Sequence, residues 1–114
     1  MKHTEIKVTD KTTGGAKGDK LERFDLIPVE PLEELARLYG VNARSGKYSE
    51  DNWRKGYKFH LSYAALQRHA TAWWRGEDVD AQTGRHHLAC VMWHCATLIW
   101  LSKYRKSMDD RWHK

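Results

Sequence analysis

This sequence predicts an all-α domain, on three observations. Three segments carry apolar residues at helical spacing, and no run of useful length alternates as a half-buried strand does. The last helical segment is apolar over most of its circumference, which places it at the centre of a bundle or in an interface between chains. The expected architecture is a helical bundle completed by oligomerisation, with a flexible N-terminal arm and a long loop between helices.

Residues 1–19 are rich in Thr, Gly and Lys and include the run TTGGAKG, which reads as the flexible arm. Residues 20–104 form the domain, and 105–114 read as a basic tail. Within the domain, Leu21, Phe24, Leu26 and Ile27 supply apolar anchors in an extended or irregular stretch. Pro31 is a good first-turn residue, so the first helix is predicted over about 31–39. Its stripe is Leu32, Leu35, Leu38 and Tyr39, with Glu33 and Glu34 in the first turn, where the helix dipole favours anions. Gly40 and Asn42 are expected to end or interrupt it. The polar, Gly-punctuated stretch VNARSGKYSEDNWRKGYK is predicted to be mostly loop, and a loop that long in a small domain is usually functional. A second helix is predicted over about 60–75, stopped by Gly76, and a third over about 86–104.

At 114 residues the chain fits one domain, and 40% hydrophobic residues exclude wholesale disorder. No apolar run approaches the ~20 residues of a membrane span, and the first residues lack the apolar stretch of a secretory signal. A cytoplasmic location is the resulting expectation. The net charge of +5 sits at the ends: residues 1–20 contribute +2 and 103–114 contribute +3, while 21–102 is neutral. That placement weakens the case for a dedicated nucleic-acid face. Cys90 and Cys95 lie about 7.5 Å apart along one predicted helix at 1.5 Å rise per residue, too far for an ordinary disulfide.

Four groups of residues could carry chemistry. Glu77, Asp78 and Asp80 fall together after a helix end; clustered carboxylates suit Mg²⁺ or Mn²⁺, though the same residues could simply make a solvated turn. His87, Cys90 and His94 share one helical face, and His69 precedes Glu77 by eight residues. Imidazoles with carboxylates can ligate a transition metal or move a proton, while His94 and Cys90 read more as packing. Glu30, Glu33 and Glu34 form a second acidic group, which reads more as a first turn favoured by the helix dipole than as a cation site. In the loop, Lys47, Tyr48, Asn52, Trp53, Arg54 and Lys55 combine stacking surface, an amide and cations, which suits a nucleotide or a single strand. There is no GxxxxGK[ST] or GxGxxG loop and no CxxC pair.

The order of these features resembles the phage dATP/dGTP diphosphohydrolases (MazZ-like), within the all-α MazG and HisE type of nucleoside triphosphate pyrophosphohydrolases. The resemblance spans about 18–101 and is carried by RFDLIP at 23–28, KYxxxNW at 47–53, RH at 68–69, GExxD at 76–80 and HL at 87–88. It implies a MazG-like bundle in a homodimer or homotetramer that hydrolyses dATP and dGTP to the monophosphate and pyrophosphate with Mg²⁺ or Mn²⁺. In a phage with 2-aminoadenine DNA, such an enzyme would supply dGMP and deplete dATP. By the same resemblance, Glu77, Asp80 and His69 are the catalytic candidates. Glu77, Asp80 and His87 are the metal candidates, with Glu33 and Glu34 in reserve. Lys20, Arg23, Lys47 and Arg68 would contact phosphate, and Asn52 and Trp53 the base. No stable nucleic-acid complex and no membrane partner are expected. The alternative is a non-enzymatic helical protein that binds single-stranded nucleic acid through its basic ends and aromatic loop.

Overall fold

The computed structural model describes residues 5–112. The elements run β1 (Ile6–Thr9), β2 (Ala16–Asp19), α1 (Val29–Ser45), α2 (Phe59–Trp74) and α3 (His87–Tyr104), with 3₁₀ turns at Phe24–Leu26, Asn52–Lys55 and Lys106–Met108. The fold is mostly helical. None of the described helices is long and apolar enough to cross a membrane.

The absence of strands expected from the sequence needs correction. Strands β1 and β2 pair antiparallel, with Ile6 opposite Asp19 and Thr9 opposite Ala16. The TTGG run, read as part of a flexible arm, lies in the turn that closes this hairpin. Asp10 accepts hydrogen bonds from the backbone N–H groups of Thr12 (2.8 Å) and Thr13 (3.0 Å), and Gly14 takes φ +78°, a conformation that other residues rarely adopt. Each strand is only four residues long and β1 is exposed throughout, so no alternation could betray them.

Helix α1 is longer than expected at both ends. Gly40 lies on its exposed side, where a glycine costs only about 1 kcal/mol and does not stop a helix that its neighbours favour. The real stop is Gly46, in the left-handed conformation at φ +72°. Of the predicted stripe, Leu38 is buried, Leu35 and Tyr39 are half-buried, and Leu32 is exposed.

Helix α3 packs against both α1 and α2, the central role predicted from its apolar circumference. On the α1 side the core is Leu38 against Ala89 and Cys90, flanked by Met92 and Trp93. Ser62, Thr97 and Leu101 are also almost wholly buried. Neither Cys90, which is buried, nor Cys95, which is exposed, forms a disulfide.

The residues after α3 fold back on the start of α2. Asp110 accepts the His60 backbone N–H at 3.0 Å and pairs with the His60 ring, while the Arg105 Nε donates to the Lys55 carbonyl at 3.2 Å. Arg105 also lies over Trp100, and Arg54 lies over both Trp53 and Trp100. These contacts fix the 3₁₀ turn at Asn52–Lys55 against the end of α3. The approach is possible because Gly56, at φ +94°, has no side chain; a Cβ there would lie 3.1 Å from Arg105 Cγ. Gly56→Ala is therefore expected to destabilise the protein by about 1–2 kcal/mol through backbone strain and crowding. A urea midpoint equal to the wild type would show that this turn adapts freely.

Candidate metal centre and adjoining cavity

The site is built at one end of the α2–α3 pair. Helix α2 ends at Trp74; Gly76, just beyond it at φ +105°, turns the chain, and Glu77 N–H closes back onto the Ala72 carbonyl at 3.1 Å. The chain then makes a small closed loop. Asp80 N–H donates to the Arg85 carbonyl, Gly84 N–H to the Asp80 carbonyl, and His87 N–H to the Asp78 carbonyl, each at 2.8 Å. At the start of α3, His86 Nδ1 accepts from Leu88 N–H as an N-terminal cap. This loop aims Asp80 inward beside the first residue of α3, His87, and opposite His69 of α2.

His69, Asp80 and His87 each offer a ligand atom, and these atoms all lie within 4.8 Å of one another. The two imidazoles face each other, with Nδ1 to Nδ1 at 2.9 Å. The Asp80 carboxylate is held by Thr83, whose N–H (3.0 Å) and hydroxyl (2.7 Å) both donate to Oδ2. Burial pushes the Asp80 carboxyl up, but the Thr83 hydrogen bonds and the nearby imidazoles outweigh it and hold the pKa below the ordinary range. Burial lowers the His69 pKa; Asp80 opposes this, while His87 and Arg68 add to it. The loop thus presents a carboxylate, and α2 a neutral imidazole, as ligating forms at neutral pH.

Two imidazoles and one carboxylate fit a first-row divalent ion such as Mn²⁺, which accepts nitrogen and oxygen ligands. Mg²⁺ prefers an all-oxygen shell. His87 is 6% exposed and turns its other nitrogen, Nε2, toward Glu77 Oε2 at 3.6 Å. A carboxylate behind a ligating imidazole is the usual device for fixing the ring's tautomer and orientation.

A cavity of about 570 Å³ adjoins this cluster, with His69, Thr83 and Cys90 on its wall. Tyr39, Tyr48, Trp53 and Trp93 line it together with Asn42, Asn52 and Lys47. Its size and mixture of aromatic surface with a few amides suit a small organic ligand. An aromatic series runs along the cavity and past it at both ends: ring centroids lie 5.2 Å from His87 to His69, 6.1 Å to His94, 4.9 Å to Trp93, 6.4 Å to Trp53 and 5.2 Å to Trp100, of which His69, His94, Trp93 and Trp53 line the cavity.

The sequence-predicted candidates separate in this geometry. His69, Asp80 and His87 converge, and Glu77 stands behind His87. Lys47, Asn52 and Trp53 line the cavity. Arg68 is exposed and close enough to affect both His69 and His94. Glu33 and Glu34 lie on α1, ion-paired with Arg37 at 3.3 and 3.6 Å, and Glu34 also reaches Arg85 of the loop at 3.7 Å. They are outside the cluster. Lys20 is exposed, and Arg23 is engaged by Asp25 at 2.7 Å and Asp19 at 3.6 Å; neither lines the cavity. Sequence reasoning passed over Thr83, although a threonine three residues after an aspartate in a turn is a recognisable local hydrogen-bonding pair.

Residues 11–111 match the family described as dATP/dGTP diphosphohydrolase, N-terminal. A dATP/dGTP diphosphohydrolase of Salmonella phage PMBT28 is 33% identical over 88 residues, covering 77% of this chain and 29% of the phage protein. The chain thus spans less than a third of that relative's length. No solved structure matches significantly. The family match takes in all three helices, the loop that carries Asp80 and the cavity wall, and on it this chain belongs to the dATP/dGTP diphosphohydrolase family.

Proposed function

We propose that this chain hydrolyses the purine deoxynucleoside triphosphates dATP and dGTP to the monophosphate and pyrophosphate, using a divalent cation held by His69, Asp80 and His87. The observation that carries the proposal is the convergence of these three ligands at one end of an aromatic-lined cavity, in a chain of this family. A bound ion would supply neutralisation of polyphosphate charge and activation of a water molecule. The donor set favours Mn²⁺ over Mg²⁺.

The chain's own residues have separable tasks in this reading. Arg68 and Lys47 offset phosphate charge beside the cluster. Glu77 orients His87 from behind, with Oε2 3.6 Å from His87 Nε2. The aromatic wall receives the purine, with Asn52 available to its edge. In a phage with 2-aminoadenine DNA, the reaction would supply dGMP and deplete dATP. Large exposed apolar side chains, among them Phe24 at 77%, Trp74 at 81% and Ile99 at 74%, support assembly as a homodimer or homotetramer.

The test is product analysis of the purified chain with each of the four dNTPs, in Mn²⁺, in Mg²⁺ and in chelator. The expected result is dAMP and dGMP with pyrophosphate, fastest in Mn²⁺ and abolished by chelator. No turnover in any metal, combined with steeply salt-dependent binding to oligonucleotides, would favour the non-enzymatic reading instead.

A further inference from the structure

Between the metal-binding end of the cavity and its aromatic end lies a polar chain that the proposed reaction has not yet used. The Tyr57 hydroxyl is 2.6 Å from Ser62 Oγ, and Ser62 Oγ is 2.9 Å from His94 Nδ1. Ser62 is 1% exposed, and all three residues line the cavity. His94 stacks at 26° on His69 on one side and meets Trp93 edge-on at the other, so it occupies the middle of the aromatic series. A nucleoside triphosphate has the same order: phosphates, sugar, base. With the phosphates at His69 and the base toward Trp53, the sugar falls beside His94.

The protons of this chain have two consistent arrangements. If Tyr57 donates to Ser62 and Ser62 to His94 Nδ1, His94 Nε2 carries a hydrogen and Tyr57 keeps a free lone pair. If His94 Nδ1 donates to Ser62 and Ser62 to Tyr57, Nε2 becomes an acceptor and the Tyr57 hydroxyl is released to donate. In both cases one end of the chain donates and the other accepts. That is the complement of a hydroxyl group, which does both at one oxygen.

We infer that Tyr57, Ser62 and His94 form a seat for the 3′-hydroxyl of the substrate sugar. The inference rests on the nucleotide reading above and adds to it a contact that neither the phosphates nor the base supplies. His94 is a binding residue in this account, and Ser62 positions it. A polar chain serving only to fill the core would not distinguish nucleotides that differ at one sugar oxygen.

The experiment compares dATP with 2′,3′-dideoxyATP in the full chain. The wild type is expected to show a KM about tenfold higher for the dideoxy nucleotide, with kcat little changed, as for loss of one hydrogen bond and an unpaired seat. His94→Phe keeps an aromatic ring against Trp93 and His69; it should raise KM for dATP and bring the two substrates within about threefold. His94→Gln should retain part of the discrimination. Equal KM values in the wild type, or undiminished discrimination in His94→Phe, would overturn the inference. Should His94→Phe fail to fold by circular dichroism, Ser62→Ala is read in its place with the same expectations. If the wild type turns over neither nucleotide, the hydrolase reading fails, and equilibrium binding tests the seat directly. Tenfold weaker binding of the dideoxy nucleotide would then support it, and equal or absent binding would overturn it.

Discussion

Asp80→Asn is expected to lower dATP and dGTP turnover by more than about 100-fold while leaving the helical content intact. Loss of an outer partner to a ligating histidine already costs about 10–100-fold in metal affinity or activity, and loss of the only carboxylate in the ligand set should exceed that. The fold should survive because an amide oxygen can still accept the two Thr83 hydrogen bonds that now converge on Asp80 Oδ2. Glu77→Gln should have the smaller effect, within about 10–100-fold, because Glu77 reaches the cluster through His87 Nε2 rather than directly. Steady-state rates at saturating Mn²⁺, with far-ultraviolet circular dichroism as the control, check both. Full activity in both variants would move the chemistry to Glu30, Glu33 and Glu34.

Leu38→Ala should produce the largest loss of stability among single core substitutions on α1. Leu38 is 2% exposed, packs on Ala89 and Cys90, and also forms part of the cavity wall. Removing it deletes buried methyl groups and leaves a void next to Trp93, at a cost of about 2–5 kcal/mol. In a domain of this size that corresponds to a fall in Tm of roughly 10 °C or more. Because the void would open into the ligand cavity, KM for the nucleotide should rise as well. A loss below about 1 kcal/mol in urea unfolding would mean that α1 is not tightly packed on α3.

Much of the helical fold is legible in the sequence because it rests on local features. The alanine-rich register of 60–75, the stop at Gly76 and the apolar circumference of 86–104 each survive as physical causes in α2 and α3. The hairpin was not legible: its strands are four residues long and neither has a buried face, so periodicity carries no signal there. Gly40 misleads in the opposite direction, since a single exposed glycine weakens a helix without ending it. The site divides along the same line. The proximity of Asp80 to His87 follows from a short turn, and a reader can see it in the spacing. The pairing of His69 with His87 depends on how α2 and α3 cross, and eighteen residues of sequence separation do not encode a crossing. His94 looked like packing because it is packed; only the bond to Ser62, thirty-two residues away, gives its ring a direction.

The claim at the centre of this account is that His69, Asp80 and His87 together hold a divalent ion. The most direct measurement is Mn²⁺ titration of the chain followed by electron paramagnetic resonance, with pulsed detection of coupling to ligand nitrogen. The account predicts a site with imidazole nitrogen coupling in the wild type, losing that coupling in a His69→Ala, His87→Ala double variant and binding far more weakly in Asp80→Ala. Mn²⁺ held with no nitrogen coupling, or held equally well by all of these variants, would contradict it.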